Sequence, residues 1–279
     1  MNKPLAFILA GFGINSEFET AHAFRLAGAQ AIIVHFSELE NKPSLFEEAQ
    51  IFVLPGGWSY ADQIQSGKIL ANKFRFKLFR PFKKFIEDQK VVLGICNGFQ
   101  ILVQLGALPG WGEWREKSFS LIQNQSGKFE DRWVYLRTER SVCTFSKSLA
   151  ECFLIPIRHG EGRFIAKDSK ALELLAEKGQ IVFRYADPEG LKTLTYPHNP
   201  NGSTDAIAGI CNEYGNVLGL MPHPECHVRL FQNPFWTIKK ARRESFFSAL
   251  LNKFDKKNKF IFNNCLPLFE SIVQYAKKF

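Results

Sequence analysis

Short apolar runs alternate with mixed polar and apolar stretches along the first hundred residues, and the alternation predicts an α/β fold. Leu5–Ala10, Ala31–Phe36, Ile51–Leu54 and Val91–Ile95 are compact apolar segments. Segments apolar on both faces suit strands buried inside a parallel sheet. Between them Glu17–Leu26 and Ala71–Ile86 read as helices, and Phe99–Leu105 opens another. The later runs Trp133–Leu136, Leu154–Arg158, Ile181–Tyr185, Ala206–Cys211 and Val217–Met221 add strands, several of them antiparallel. Leu266–Lys277 reads as a closing amphipathic helix. The expected architecture is a mostly parallel open sheet flanked by helices, with additional antiparallel strands. With 279 residues, 46% of them hydrophobic, the chain has enough apolar mass for a full core. No apolar stretch approaches the ~20 residues of a membrane-spanning helix, and the first strand begins too early for a signal-peptide layout.

Candidate chemistry sits at strand ends. Val91–Ile95 runs into Gly94-Ile-Cys-Asn-Gly98 and then a helix-like stretch. A cysteine on such a strand-to-helix bend projects above the sheet, and the amides that follow face a developing oxyanion. Gly94 and Gly98 lack the Cβ atoms that would crowd the bend. On this window alone, a buried core thiol is an equal reading of Cys96. Val217–Met221 then delivers His223 and Glu225, a base and a carboxylate to orient it, as a cysteine nucleophile requires. Two residues apart on an extended segment, the two side chains would point to one side. Pro222 and Pro224 stiffen that segment and deny it a helix. Ile51–Leu54 ends at Pro55-Gly-Gly57, where the Gly57 N–H, with that of Asn97, is placed to form an oxyanion hole.

These motifs, with Leu54-Pro-Gly-Gly-Trp-Ser-Tyr-Ala-Asp62, Gly94-Ile-Cys-Asn-Gly-Phe-Gln-Ile-Leu102, His159-Gly-Glu-Gly-Arg-Phe164, Asn199-Pro-Asn-Gly-Ser203 and Met221-Pro-His-Pro-Glu225 in this order, resemble the class I (triad-type) glutamine amidotransferases. Within that class the strings are most similar to the glutaminase subunits of phosphoribosylformylglycinamidine synthases, which act in de novo purine synthesis. The resemblance runs from about Ala6 to Glu225 and implies a flavodoxin-like fold. It implies Cys96 as nucleophile, His223 as base and acid, Glu225 as its orienting group, Gly57 and Asn97 as oxyanion donors, and Gln100 as a holder of L-glutamine. It further implies a synthetase subunit as partner, in some members with a small accessory subunit, and ATP and Mg2+ used by that partner rather than by this chain. Nothing here resembles a phosphate-binding loop. Relatives often carry other residues at Ser16, Trp58, Ala61 and Cys226, and none of these departures removes a triad group. Against the enzyme reading stands a silent docking or regulatory subunit on the same fold; within enzymes the alternatives are a triad amidotransferase for another acceptor and a stand-alone cysteine hydrolase. His159 and Glu161 remain open between a rival acid–base pair, a binding or docking role and plain structure; by resemblance their loop belongs to the active-site surroundings.

Six cysteines, at 96, 143, 152, 211, 226 and 265, show neither a Cys-x-x-Cys pair nor zinc-ligand spacing. No metal is expected, and reduced thiols in a cytoplasmic enzyme are the simpler account. Charge is uneven. Residues 229–279 hold eleven Lys/Arg against three acids, so this stretch carries +8 of the chain's net +9. The chain therefore divides into an amidotransferase domain, 1–228, and a basic, aromatic-rich extension, 229–279, ending in a helix packed on the same domain. Basic residues among aromatics also mark nucleic-acid binders, but the expected role is a docked extension with lysines in water, or one that steers a synthetase encounter. No nucleic-acid or membrane partner is expected.

Overall fold

The computed structural model describes residues 3–114, 117–238 and 263–279. Eleven strands are present among them, nine in one sheet of order β2-β1-β3-β4-β11-β10-β9-β6-β7. The parallel half is β2 (Gln30–His35), β1 (Leu5–Ala10), β3 (Ile51–Leu54), β4 (Val91–Ile95) and β11 (Val217–Leu220). The antiparallel half is β10 (Ile207–Cys211), β9 (Ile181–Ala186), β6 (Glu130–Thr138) and β7 (Cys152–His159). All thirteen residues of β3, β4 and β11 are buried, because helices cover both faces of a parallel sheet. Registers Leu54↔Gly94 and Ile95↔Leu220 put the ends of these three strands side by side. The three predicted motifs therefore leave the sheet at one edge, outside the carboxyl ends of parallel strands, where α/β folds bind ligands.

The expected helix Glu17–Leu26 is α1 with those bounds; α2 (Phe36–Asn41) and α3 (Leu45–Glu48) follow. The strand read at Ala31–Phe36 is shifted by one residue, since Phe36 opens α2 behind a His35 cap. The single helix read over Ala71–Ile86 is interrupted. It comprises α4 (Lys68–Lys73), a π turn over Phe74–Leu78 and α5 (Phe79–Glu87). The cause is Pro81, which lacks an N–H and whose ring would meet the Lys77 carbonyl in a regular α-helix; the wide turn relieves it. Helix α6 (Asn97–Leu105) follows β4 directly. Besides the short helices α2 and α3, a two-stranded ribbon and a helix stand where the sequence carries no expectation. The ribbon β5 (Phe119–Ile122) with β8 (Arg163–Ala166) has strands of only four residues, too short to carry a pattern. Helix α7 (Ser169–Glu177) starts at an Asp168 cap that accepts from Ala171 N–H at 2.8 Å.

The expected closing helix is α8 (Leu266–Ala276). It buries Leu268, Phe269, Ile272 and Val273 in the main core, with Phe269 edge-on to Phe24 of α1 at 5.1 Å. Cys265 N–H donates to the His227 carbonyl at 2.8 Å, tying the start of α8 to the segment that carries Glu225. Most of the basic, aromatic stretch lies at 239–262, outside the described residues. No described helix is long and apolar enough to cross a membrane.

Candidate active site

Cys96 sits between β4 and α6 with φ 50° and ψ −105°, a backbone geometry that costs about 1–3 kcal/mol outside glycine. Its amide donates to the Leu220 carbonyl at 2.8 Å and its carbonyl accepts from Gln100 N–H at 3.1 Å, so neighbours on both sides fix the bend. The two flanking glycines are required by contact. A Cβ at Gly94 would stand 2.5 Å from Leu102 Cδ1, and one at Gly98 would overlap the Leu54 carbonyl. The thiol is 6% exposed and donates a long hydrogen bond, 3.7 Å, to the Arg158 carbonyl.

His223 is placed by its backbone N–H on the Pro156 carbonyl, 2.9 Å. Strand β7 lies five places from β4 in the sheet, so the antiparallel half curls back to reach this site. The expected extended path from His223 to Glu225 is not what forms. Strand β11 stops at Leu220, and Pro224–Cys226 makes a 3-10 turn with proline at its first position, where a missing N–H costs nothing. The turn still joins the pair. His223 Nδ1 meets Glu225 Oε1 at 2.6 Å, both side chains buried. Burial alone would lower the basicity of His223. The Glu225 carboxylate and the neighbouring Cys96 sulfur overcome it and raise the imidazole to about 10. Its Nε2 makes no hydrogen bond. Gly56 backs the ring so closely that a Cβ there would be 2.7 Å from His223 Cε1.

Gly57 and Asn97 lie on the two neighbouring strand ends. Among the described residues neither backbone N–H donates to another group; Asn97 is the first residue of α6, where no intrahelical partner exists. Gln100 is buried, its Oε1 accepting from Asn97 Nδ2 at 2.9 Å and its Nε2 donating to the Glu161 carbonyl at 2.6 Å. A cavity of about 340 Å³ is lined by Gly57, Cys96 and Gln100, together with Asp62, Ser66 and Glu161. Tyr60, Ala61 and Asp62, all with φ of 50–56°, turn the chain beside it.

His159 also lines this cavity, and its surroundings exclude the rival acid–base role. It is 2% exposed, and burial together with the charge of His223 lowers it to about 3. The hydrogen bonds fix one neutral tautomer. Asn124 Oδ1 already accepts from Gly162 N–H at 3.0 Å, so at 3.1 Å it receives the proton of His159 Nδ1. Asn201 Nδ2, which donates to the Gly162 carbonyl at 2.8 Å and the Tyr185 hydroxyl at 3.0 Å, stands 3.5 Å from His159 Nε2 and offers no acceptor for a second proton. Ser203 N–H donating to Asn201 Oδ1 at 3.1 Å prevents the amide from turning over. The turn 199–203 thus has a buried inner side that braces His159. Sequence reading assigned no role to Gly56, Asp62, Ser66 or Asn124. Asp62 lay inside a quoted motif, whereas Asn124 stands in a polar turn with nothing to mark it.

Comparison with known proteins identifies the family. The CobB/CobQ-like glutamine amidotransferase domain matches residues 3–264. The phosphoribosylformylglycinamidine synthase subunit PurQ of Methanococcus maripaludis is 41% identical over 271 residues, 95% of this chain and 97% of the relative. The protein of that name from Treponema denticola is 41% identical over 240 residues, 81% of this chain and 89% of the relative. Among solved structures, a chain of PurLQS from Thermotoga maritima superimposes with a TM-score of 0.68 at 29% identity, covering 98% of this chain and 99% of that one. The chain belongs to the CobB/CobQ-like glutamine amidotransferase family, alongside the phosphoribosylformylglycinamidine synthase PurQ subunits.

Proposed function

We infer that this chain is the glutaminase subunit of a phosphoribosylformylglycinamidine synthase. The observation that carries the chemistry is a buried histidine, braced by Glu225 at 2.6 Å, with its other nitrogen unpaired beside a cysteine on a strained strand-to-helix bend.

The cycle runs as an acyl transfer. His223, raised to about 10, already carries the proton of the Cys96–His223 pair, and the Cys96 sulfur turns from the Arg158 carbonyl and attacks the γ-amide carbon of L-glutamine. The oxyanion is held by the N–H groups of Gly57 and Asn97, donors that need no reorganisation. The C–N bond then breaks as His223 returns the proton to the leaving nitrogen, releasing ammonia and leaving a γ-glutamyl thioester. Water, deprotonated by His223, attacks the thioester; glutamate departs and the thiol regains its proton. Glu225 fixes the ring and stabilises the imidazolium in both halves. Gln100 holds the substrate.

Ammonia passes to a synthetase subunit, which uses ATP and Mg2+ to convert formylglycinamide ribonucleotide to the amidine, with a small accessory subunit in the assembly. This chain needs no cofactor of its own. The work is cytoplasmic, where thiols stay reduced; none of the six cysteines is in a disulfide.

Glutamine-to-glutamate turnover, measured on the chain alone and with the synthetase, tests this reading. Cys96→Ala should abolish glutamine-dependent synthesis and leave synthesis from added ammonia intact. Wild-type protein that turns over no glutamine in either state would sink it.

A further inference from the structure

The two oxyanion donors leave different strands, and their aim and their spacing have different causes. Aim follows from the planar trans peptide, whose N–H and C=O point opposite ways. Asn15 N–H holds the Gly56 carbonyl at 3.2 Å, which turns the Gly57 N–H away from that neighbouring loop. Gln100 N–H holds the Cys96 carbonyl at 3.1 Å and does the same for the N–H of Asn97. Spacing requires that the loop after β3 stay at a fixed distance from the start of α6, and one side chain joins them. Asn97 is fully buried. Its Oδ1 accepts from Ser59 N–H, just beyond Gly57 in the chain, at 3.2 Å. Its Nδ2 donates to Asp62 Oδ1 at 3.2 Å and to Gln100 Oε1 at 2.9 Å.

This amide is locked against turning over. Gln100 Nε2 is committed to the Glu161 carbonyl at 2.6 Å, so Gln100 Oε1 stays toward Asn97. A reversed Asn97 amide would set its oxygen against two acceptors and its nitrogen against an N–H. The outer side of the loop is held by backbone alone, through Trp58 N–H on the Gly13 carbonyl at 2.7 Å and Tyr60 N–H on the Phe12 carbonyl at 3.0 Å. Among the described residues, no other side chain hydrogen-bonds between 56–62 and α6. The loop is therefore clamped from outside by its neighbour and from inside by Asn97.

We propose that the Asn97 side chain is the positioning group of the oxyanion hole, a strut that fixes the Gly57 N–H relative to the residue's own N–H. The proposal rests on the glutaminase reading of the site and deepens it. Every residue but proline would keep the backbone donor, so a change of side chain alters the spacing and leaves both donors in the chain. Donors out of place cost most where negative charge is greatest, in the tetrahedral intermediate, and little in the bound amide.

Asn97→Ala removes the strut, and Asn97→Ser, whose hydroxyl ends short of Ser59 and Asp62, guards against a packing effect of alanine. Steady-state kinetics on L-glutamine with the synthetase present should show kcat lower by about 10–100-fold in both, as expected when a reacting group is displaced by about 1 Å. KM should stay within about threefold, since Gln100 keeps its bond to Glu161. Two probes of Cys96 separate positioning from general damage. An aldehyde analogue of glutamine adds to the sulfur and places an alkoxide in the hole, so its Ki should rise by the factor by which kcat/KM falls. Iodoacetamide alkylates the same sulfur without forming an oxyanion, and its rate should be unchanged. Equal losses with both probes, a rise in KM at unchanged kcat, or wild-type kcat in both variants would each overturn the assignment. If wild-type protein turns over no glutamine, the glutaminase reading fails, and aldehyde affinity in wild type and Asn97→Ala still decides the strut. Equal affinity in the two, or none in wild type, overturns it.

Discussion

Two buried histidines stand within electrostatic reach of one another and their chemistry diverges. His223, on the segment after β11, is raised to about 10; His159, at the end of β7, is lowered to about 3. Burial pushes both the same way, toward the neutral form. Partners make the difference. A carboxylate at 2.6 Å on Nδ1 outweighs desolvation for His223, whereas His159 has two side-chain amides beside it, one of which sets its nitrogen 3.5 Å from Nε2. Even the packing is parallel, since each ring lies against a glycine, Gly56 behind His223 and Gly162 behind His159. Depth in the protein does not make a catalytic base. The charge of the group behind it does, and the raised His223 in turn helps hold its neighbour neutral.

Removing that charge should break the comparison most severely. Glu225→Gln keeps a hydrogen-bonding group at Nδ1 but takes away the carboxylate, and glutamine turnover should fall on the order of 10³–10⁴-fold, as for other triads that lose the orienting acid. Turnover within tenfold of wild type would mean that His223 acts without it. The next test exchanges packing rather than charge. In Gly56→Ala the new methyl would sit 2.7 Å from Cε1 of a ring already pinned by Glu225, so the imidazole must move off line from Cys96. A displacement of about 1 Å costs about 10²-fold. Gly162→Ala imposes a closer contact, 2.4 Å, on His159, yet should change kcat by less than about tenfold, because that ring transfers no proton in this cycle. Stopped-assay kcat values for the two alanine variants, side by side, decide it, and an equal loss would give His159 a part in the chemistry.

How much of this was legible in the sequence follows the same divide. Cys96, His223 and Glu225 stand at the ends of apolar runs, and the buried strands β3, β4 and β11 have no other way to read. The parallel half announces itself because both its faces are buried. What the sequence concealed depends on contacts far apart in the chain. Asn124 reaches His159 across 35 positions and Asn201 across 42, and neither amide differs locally from a surface turn residue. The expected extended His-Pro-Glu failed for a local reason, since proline also favours the first position of a short helical turn. Pro81 hid the π turn likewise: the apolar spacing of a helix persisted through a backbone that could not stay regular.

The smallest effect, and the one that sharpens the contrast between the two histidines, is on stability against pH. His223 is raised above the ordinary value near 6.5, so its contribution is fully present below about pH 6.5 and is lost as pH rises toward 10. His159 is lowered, so the unfolded chain takes up its proton first. Its contribution is present above about pH 6.5 and is lost as pH falls toward 3. The two residues thus tilt opposite limbs of one stability curve, each by at most about 1.4 kcal/mol per pH unit. Denaturant midpoints between pH 4 and pH 9 should show His159→Gln flattening the acid limb alone, by about 2 kcal/mol at pH 5. Glu225→Gln should flatten the alkaline limb, because His223 then no longer holds its proton in the fold. A His159→Gln curve running parallel to wild type from pH 6.5 to pH 4 would show that His159 accepts a proton in place. The amide lock around it would then not be what separates the two histidines.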